Sequence, residues 1–335
     1  MGFKDSLERC KILVNSYIDN VLDENLKPYS LYDAARHLIK AGGKRLRPFL
    51  VIESCKLVNG DEYSVLPAAV AVELIHNFTL VHDDIMDEDE LRRGVPTVHI
   101  LWNIPLAILA GDLLFSKAFE VLFECCKTPS VSPERVLEAA ARIASSVSLL
   151  AEGQAMDVDF EGRLLKSGVS EEEYLNMIYR KTAVLMRASC EVGALIGGGC
   201  KEAVNALARY GENIGMAFQM RDDLLGVIGK EEELGKPVGS DLREGKCTLI
   251  FIHAFNNASS SQKRLLSKYY GRKSISKMDL ESVVKVLREI GSIDYVASLA
   301  RRYVSIAKEA LLKFDECEAK NNLLELADYI VVRTF

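Results

Sequence analysis

The chain has 335 residues, 49% of them hydrophobic and 27% charged, with a net charge of −6. That composition fits a folded globular chain with a large core, and the acid excess argues against nucleic acid as the main partner. Modest Gly and Pro, few aromatics and frequent Ala, Leu and Glu favour helix over sheet, so the expected fold class is all-α. The eight cysteines (Cys10, Cys55, Cys125, Cys126, Cys190, Cys200, Cys247 and Cys317) form no CxxC. They read as buried, reduced thiols of a cytoplasmic protein, not as a disulfide framework or a zinc site.

The N-terminal MGFKDSLERC lacks the apolar core of a signal peptide, although Gly2 and Ser6 match the short myristoylation pattern. Helical periodicity covers residues 3–22, Pro28 and Ser30 mark a turn, and residues 31–40 make a short helix stopped by Gly42-Gly43. Lys44, Arg45 and Arg47 then place three cations at the start of a helix over residues 48–59. The macrodipole favours acids there. A bound phosphate would resolve the mismatch; the alternative is a basic helix start with no ligand.

A buried helix is expected from about residue 65 to 90, ending in HDDIMDEDE. Asp83 and Asp87 are four apart and share a face. Two carboxylates on an apolar helix repel and cost desolvation, so a cation should sit between them. Oxygen-only donors favour Mg2+, which also takes phosphate oxygens. The alternative is a solvated acidic helix end, since Glu88, Asp89 and Glu90 follow. His76 lies two turns before Asp83 on roughly the same face, as a core histidine or a functional one. Arg92 and Arg93 either hold the outer oxygens of a diphosphate or balance the neighbouring acids.

The most apolar window, residues 101–123, carries Asp112, Lys117 and Glu120. That is too many charges for a membrane span, so no integral membrane association is expected, and the window reads as two helices broken near Pro105. One long helix is expected over 104–126 and another over 133–160, with Gln154, Asp157 and Asp159 near its end. A helix over 170–197 opens with a capping box at Ser170–Glu173 and carries Lys181 and Thr182 in its middle. A helix over 201–227 carries Asp222 and Asp223, with Gln219 one turn earlier. The glycines and lysines after it (Lys236, Gly245, Lys246) suit a flexible lid that reaches phosphates. Amphipathic helices follow, broken at Gly271 and Gly291. No strand run, fixed-period repeat or low-complexity linker is visible, so residues 1–335 read as one domain.

Two acidic motifs thus lie about 140 residues apart in an apolar helical chain. Cations stand at six places: Lys44/Arg45/Arg47, Arg92/Arg93, Lys181, Lys236, Lys246 and Arg333. Such a set suits Mg2+ bridging a diphosphate whose hydrocarbon tail is buried, and ionisation of an allylic diphosphate in a dry pocket.

In GGKRLRP, LVHDDIMDEDELRRGVPTVH, KTA, FQMRDDLLGV and GKPVGSDLREGK, in order and spacing, the chain resembles the trans-type (all-E) prenyl diphosphate synthases over nearly its whole length. The resemblance implies a bundle of roughly a dozen helices around a central cavity, usually as a homodimer, that condenses isopentenyl diphosphate with an allylic diphosphate. It implies two or three Mg2+ held by Asp83, Asp87 and Asp222, with Asp84 and Asp223 in support. By the same resemblance Lys44, Arg47, His76 and Arg93, with Arg45 nearby, hold isopentenyl diphosphate. Arg92, Lys181, Lys236 and Lys246 hold the allylic partner, and Thr182 and Gln219 turn oxygens toward the developing cation. The second motif departs from the usual DDxxD, because Gly226 replaces its last acid.

Product length is expected from Phe78 and Thr79, five and four residues before Asp83. A single aromatic at the fifth position resembles the archaeal type of geranylgeranyl (twenty-carbon) synthase. The other readings are a farnesyl or bifunctional synthase, a class I terpene cyclase, and a non-catalytic synthase subunit.

Overall fold

The structure, a computed structural model, describes residues 2–229 and 239–332. It is all-α, and it divides into two compact units.

The first unit comprises Met1–Ser145, Arg187–Ala208 and Leu311–Glu325. Its helices include α1 (Phe3–Val21), α2 (Tyr29–Lys40), α3 (Leu46–Leu57), α4 (Glu62–Met86), α5 (Val98–Leu101) and α6 (Ile104–Leu122). Helix α4 starts where Asp61 caps it, accepting from Ser64 N at 2.8 Å. From Val65 to Ile75 every residue is buried, because this stretch is apolar apart from Glu73 and packs mainly against α6 and α3. Helix α4 is long and apolar enough to cross a membrane, yet 72% of its most apolar window is buried in the fold. The apolar stretch singled out at 101–123 is therefore not the most span-like helix.

Two expected limits and the burial of the cysteines are corrected. The acidic helix ends at Met86, not near residue 90, and a two-residue hairpin follows, β1 (Leu91–Arg92) against β2 (Val95–Pro96). These are the only strands among the described residues. The helix expected over 104–126 ends at Leu122 and tightens into a 3-10 turn, Phe123–Lys127. Five cysteines are buried, but Cys126, Cys200 and Cys317 are exposed, and all eight are free thiols.

The second unit comprises Ser146–Met186, Arg209–Ala310 and Leu326–Phe335. In chain order the elements that reach it are α7 (Pro133–Phe160), α8 (Arg163–Lys166), α9 (Glu171–Ile178), a π turn (Tyr179–Ala183), α10 (Val184–Ile196) and α11 (Lys201–Ile228). The helices Ser240–Glu244, Leu249–Asn257, Ser260–Tyr269, Lys277–Ile290, Ser292–Ala310 and Glu318–Val332 follow. The capping box at Ser170 and Glu173 is formed in both directions. The single helix expected over 170–197 is instead α9, the π turn and α10. The core of the unit gathers Tyr174, Met177, Met220, Leu224, Phe251 and Val296.

Candidate active site

In the first unit the acids sit at the C-terminal end of α4. Asp87 is the C-cap residue, and its N–H donates to Asp83 O at 2.8 Å. Asp83 and Asp87 are half-buried; Asp84 is buried at 1% exposure. Carboxylates at a helix C-terminus oppose the macrodipole, so this end of α4 attracts a cation.

Asp84 turns toward Arg92, whose Nε donates to Asp84 Oδ1, and Arg92 Nη2 reaches Asp89 Oδ2 at 3.3 Å. Burial pushes the Asp84 carboxyl up to about 6, against the pull of Arg92. Its Oδ2 is buried without a hydrogen-bond partner.

The hairpin turn is Arg93-Gly94, with φ of 54° and 77°. Two central residues at positive φ make a type I′ turn, which is unfavourable for a residue other than Gly, Asn or Asp. Arg93 is held there because its Nη1 donates to Leu38 O at 2.7 Å and also to Gly42 O. His37 Nε2 donates to Pro96 O at 2.7 Å and pins the other strand to α2.

The Lys44–Arg47 cluster separates into different fates. Lys44 is exposed and Arg47 is half-buried. Arg45 is turned inward at 2% exposure. It donates to Asn15 Oδ1 (2.9 Å), Gly42 O (3.1 Å), Ile39 O (2.8 Å) and Glu73 Oε1 (2.9 Å). These bonds take up four of its N–H donors within the protein. Gly43, at φ 144°, leaves room for it, since a Cβ there would lie 2.6 Å from Arg45 Nη1. His76 is held well below its ordinary pKa by burial, then by Arg47, Arg93, Arg92 and Arg45. A neutral imidazole near the guanidinium groups of Arg47 and Arg93 suits an anion.

Further up α4, the Phe78 ring lies 4.9 Å from that of His82 and 5.3 Å from that of Phe115. Phe115 in turn lies 5.4 Å from Phe119. Thr79 Oγ1 donates to its own helix, at His76 O. His82 rests on Gly111, where a Cβ would lie 2.2 Å from Nε2. Phe115 and Phe119 were not singled out from sequence; their i, i+4 spacing was the available signal.

In the second unit Asp222 is half-buried and Asp223 buried. Tyr174 OH donates to Asp223 Oδ2 at 2.5 Å and Gln219 Nε2 donates to Oδ1 at 2.8 Å. Thr182 Oγ1 donates to Gln219 Oε1 at 2.7 Å. Burial, then Asp241, pushes the Asp223 carboxyl up to about 7. Lys181 Nζ pairs with Asp157 Oδ2 at 2.5 Å, a role for Asp157 that sequence reading did not assign. Lys181 and Thr182 sit in the π turn, a form that often marks functional sites. Gly153 of α7 lets that turn come close, because a Cβ there would lie 2.3 Å from Lys181 N. Lys246 pairs with Glu244 at 3.2 Å. Lys236 and Arg333 lie outside the described residues, as does the part of the expected lid that carries Lys236.

The donors suit Mg2+. They are oxygens at an unfavourable helix end, with one buried oxygen orphaned. Among the described residues no three His, Cys, Asp or Glu side chains gather into a complete cage. Mg2+ commonly takes one or two carboxylates and completes its shell with water and phosphate oxygens.

Residues 28–287 match the family described as polyprenyl synthetase. The chain is 46% identical to a geranylgeranyl diphosphate synthase of Methanosarcina mazei over 96% of each chain. It is 43% identical to a geranylfarnesyl diphosphate synthase of Natronomonas pharaonis over 92% of each chain. A crystal structure of a geranylgeranyl pyrophosphate synthetase from Pyrococcus horikoshii superposes with a TM-score of 0.91 at 44% identity, covering 99% of each chain.

Proposed function

Because the chain belongs to the polyprenyl synthetase family, we propose that it is a prenyltransferase that adds isopentenyl diphosphate head-to-tail to an allylic diphosphate, with geranylgeranyl diphosphate as product. The observation that supports this reading lies in the first unit: the cations Arg47 and Arg93 act on a neutral His76. A class I terpene cyclase has no second diphosphate to bind and no use for these cations.

In this reading Lys44, Arg47, His76 and Arg93 hold isopentenyl diphosphate. Neutral His76 donates one N–H without adding charge to a crowded cationic site. Arg92, Lys181, Lys236 and Lys246 hold the allylic diphosphate. The C1–O bond of the allylic partner breaks, the terminal alkene carbon of isopentenyl diphosphate bonds to C1, and the released diphosphate removes the proton. Thr182 donates its hydroxyl proton to Gln219, which leaves the lone pairs of Thr182 Oγ1 for the developing cation. Asp83, Asp87 and Asp222 are the residues that would hold Mg2+, with Asp84 and Asp223 beside them. When bound, Mg2+ neutralises charge on the leaving diphosphate.

In this reading product length is set by Phe78, whose ring lies 5.3 Å from that of Phe115. The geranylfarnesyl name of a relative at 43% identity keeps a twenty-five-carbon product as the second reading. A homodimer is part of the proposal, since Ile100, Leu101, Ile104, Ile108 and Leu109 form an exposed apolar face on α5 and α6. So is a cytoplasmic location, where eight free thiols stay reduced.

The test is incubation with Mg2+, labelled isopentenyl diphosphate and each allylic primer, followed by chromatography of chain lengths. Twenty-carbon product, with turnover lost by orders of magnitude in Asp83→Ala at an unchanged melting temperature, supports the reading. Cyclic hydrocarbon from the allylic substrate alone would sink it.

A further inference from the structure

From Cys247 to Met278 the chain has no Asp or Glu but six cations, Lys263, Arg264, Lys268, Arg272, Lys273 and Lys277, although its net charge is −6. Charge of one sign gathered in one stretch of an oppositely charged chain marks an interaction surface. Through Ile290 the excess persists, with two further cations, Lys285 and Arg288, against Asp279, Glu281 and Glu289.

The fold leaves all six cations at the surface of the second unit. Helix Ser260–Tyr269 buries Leu266 completely. At about 100° per residue, Lys263, Arg264 and Lys268 fall within an arc of about 140° that faces away from Leu266. Gly271 turns the chain at φ 75°, and Arg272 and Lys273 stand exposed after it. Lys277 then opens helix Lys277–Ile290, which packs against the first helix. Tyr269 OH donates to Asp279 Oδ1 at 2.5 Å and Ser276 Oγ donates to Asp279 Oδ2 at 2.7 Å. The first acid after the run is thus occupied inside the hairpin, and Glu289 pairs with Lys285 at 4.0 Å. Next to Lys277 stands Met278, at 79% exposure the most exposed large apolar side chain among the described residues.

These features choose among anionic partners. Single-stranded nucleic acid binds on exposed aromatic faces, but Tyr270 is buried and Tyr269 is bonded into the hairpin. A charged bilayer attracts clustered Lys and Arg and takes up an apolar side chain beside them. We propose that the hairpin of helices Ser260–Tyr269 and Lys277–Ile290 docks on an anionic lipid bilayer, with the six cations at the headgroups and Met278 inserted among them. Contact is peripheral and needs no spanning helix. The proposal goes beyond the prenyltransferase reading, and docking does not depend on turnover. Under that reading, the face also brings a product with one long hydrocarbon tail to the phase that buries such tails.

The test is sedimentation of the full chain with vesicles of phosphatidylcholine alone and of equal parts phosphatidylcholine and phosphatidylglycerol. The chain should sediment with the anionic vesicles only, and less as salt rises. Each cation near a charged bilayer contributes about fivefold, so Arg264→Gln with Arg272→Gln and Lys273→Gln should weaken partitioning ~100-fold at an unchanged melting temperature. Met278→Ser should weaken it as well, with the salt dependence kept. Lys4→Gln with Lys166→Gln and Lys201→Gln removes the same charge from exposed positions elsewhere, and should change partitioning little. Equal losses in the two triple variants would reveal a diffuse charge effect and overturn the proposal. So would a chain that stays in solution with the anionic vesicles, or one that binds single-stranded DNA or polyglutamate more tightly than those vesicles at the same salt.

Discussion

Arg45 and Arg47 are two residues apart in one cationic cluster, and removing them should give opposite results. Arg45 Nη1 lies 2.9 Å from Glu73 Oε1, with side chains 1% and 2% exposed. Arg45→Met leaves the Glu73 carboxylate buried, with Asn77 Nδ2 at 3.1 Å as its remaining donor. Breaking a buried pair by removing one partner costs about 3–5 kcal/mol. At roughly 2 °C per kcal/mol for a large domain, the melting temperature should fall by about 6–10 °C. Replacing both charges, Arg45→Met with Glu73→Met, should recover most of that loss, because an apolar pair of similar volume is commonly neutral. Arg47→Ala should leave the melting temperature within about 2 °C, the range of a substitution outside the core. It should raise the KM for isopentenyl diphosphate far more than the KM for the allylic partner. Calorimetric melting and steady-state kinetics on the three variants check both arms. A melting temperature unchanged in Arg45→Met, together with a raised KM for isopentenyl diphosphate, would refute the inward role of Arg45.

Phe78→Ala should extend products beyond twenty carbons, and Thr79→Phe should shorten them toward fifteen; an unchanged distribution in both variants would make Phe78 ordinary core. The stability cost of Phe78→Ala should fall below the ~3–5 kcal/mol typical of a fully buried Phe, since this ring is half-buried. His76 supplies the pH dependence. Its folded pKa lies below the unfolded value of about 6.5, so the unfolded chain takes up a proton that the fold refuses. The stability tied to neutral His76 is present above pH ~6.5 and is lost as pH falls below it. His76→Gln should therefore flatten the acid-side decline of melting temperature, and an unaltered decline would remove His76 from that account.

Features that depend on near neighbours in the chain are legible in the sequence. The limits of α7 match the expected 133–160, because Pro133 opens a long apolar-periodic run. The capping box at Ser170 is legible because both of its bonds span three residues. What stays hidden depends on distant partners. The π turn at Tyr179–Ala183 lies inside a continuous helical pattern, and the close approach of Gly153 accompanies it. The Leu91–Pro96 hairpin is too short for an alternating pattern, and it is held by His37 and by the Leu38 carbonyl of α2. The inward turn of Arg45 depends on Glu73, 28 residues later. Both acidic motifs are visible as residue pairs, but the bond from Tyr174 OH to Asp223, 49 residues away, is visible only in three dimensions.

Gly153 also changes how tolerance to substitution should be read along this chain. It has no functional group, and it lies 28 residues before Lys181 in the sequence. Yet any side chain there presses on the peptide that aims the Lys181 ammonium. A saturation scan would therefore rank Gly153 with the charged residues, whereas a search by chemical type would pass over it. An engineer reshaping the space around Phe78 can exchange aromatic rings with some freedom. The crossing of Gly153 on the π turn leaves no such latitude, and a redesign that moves α7 by a fraction of an ångström would move the lysine with it.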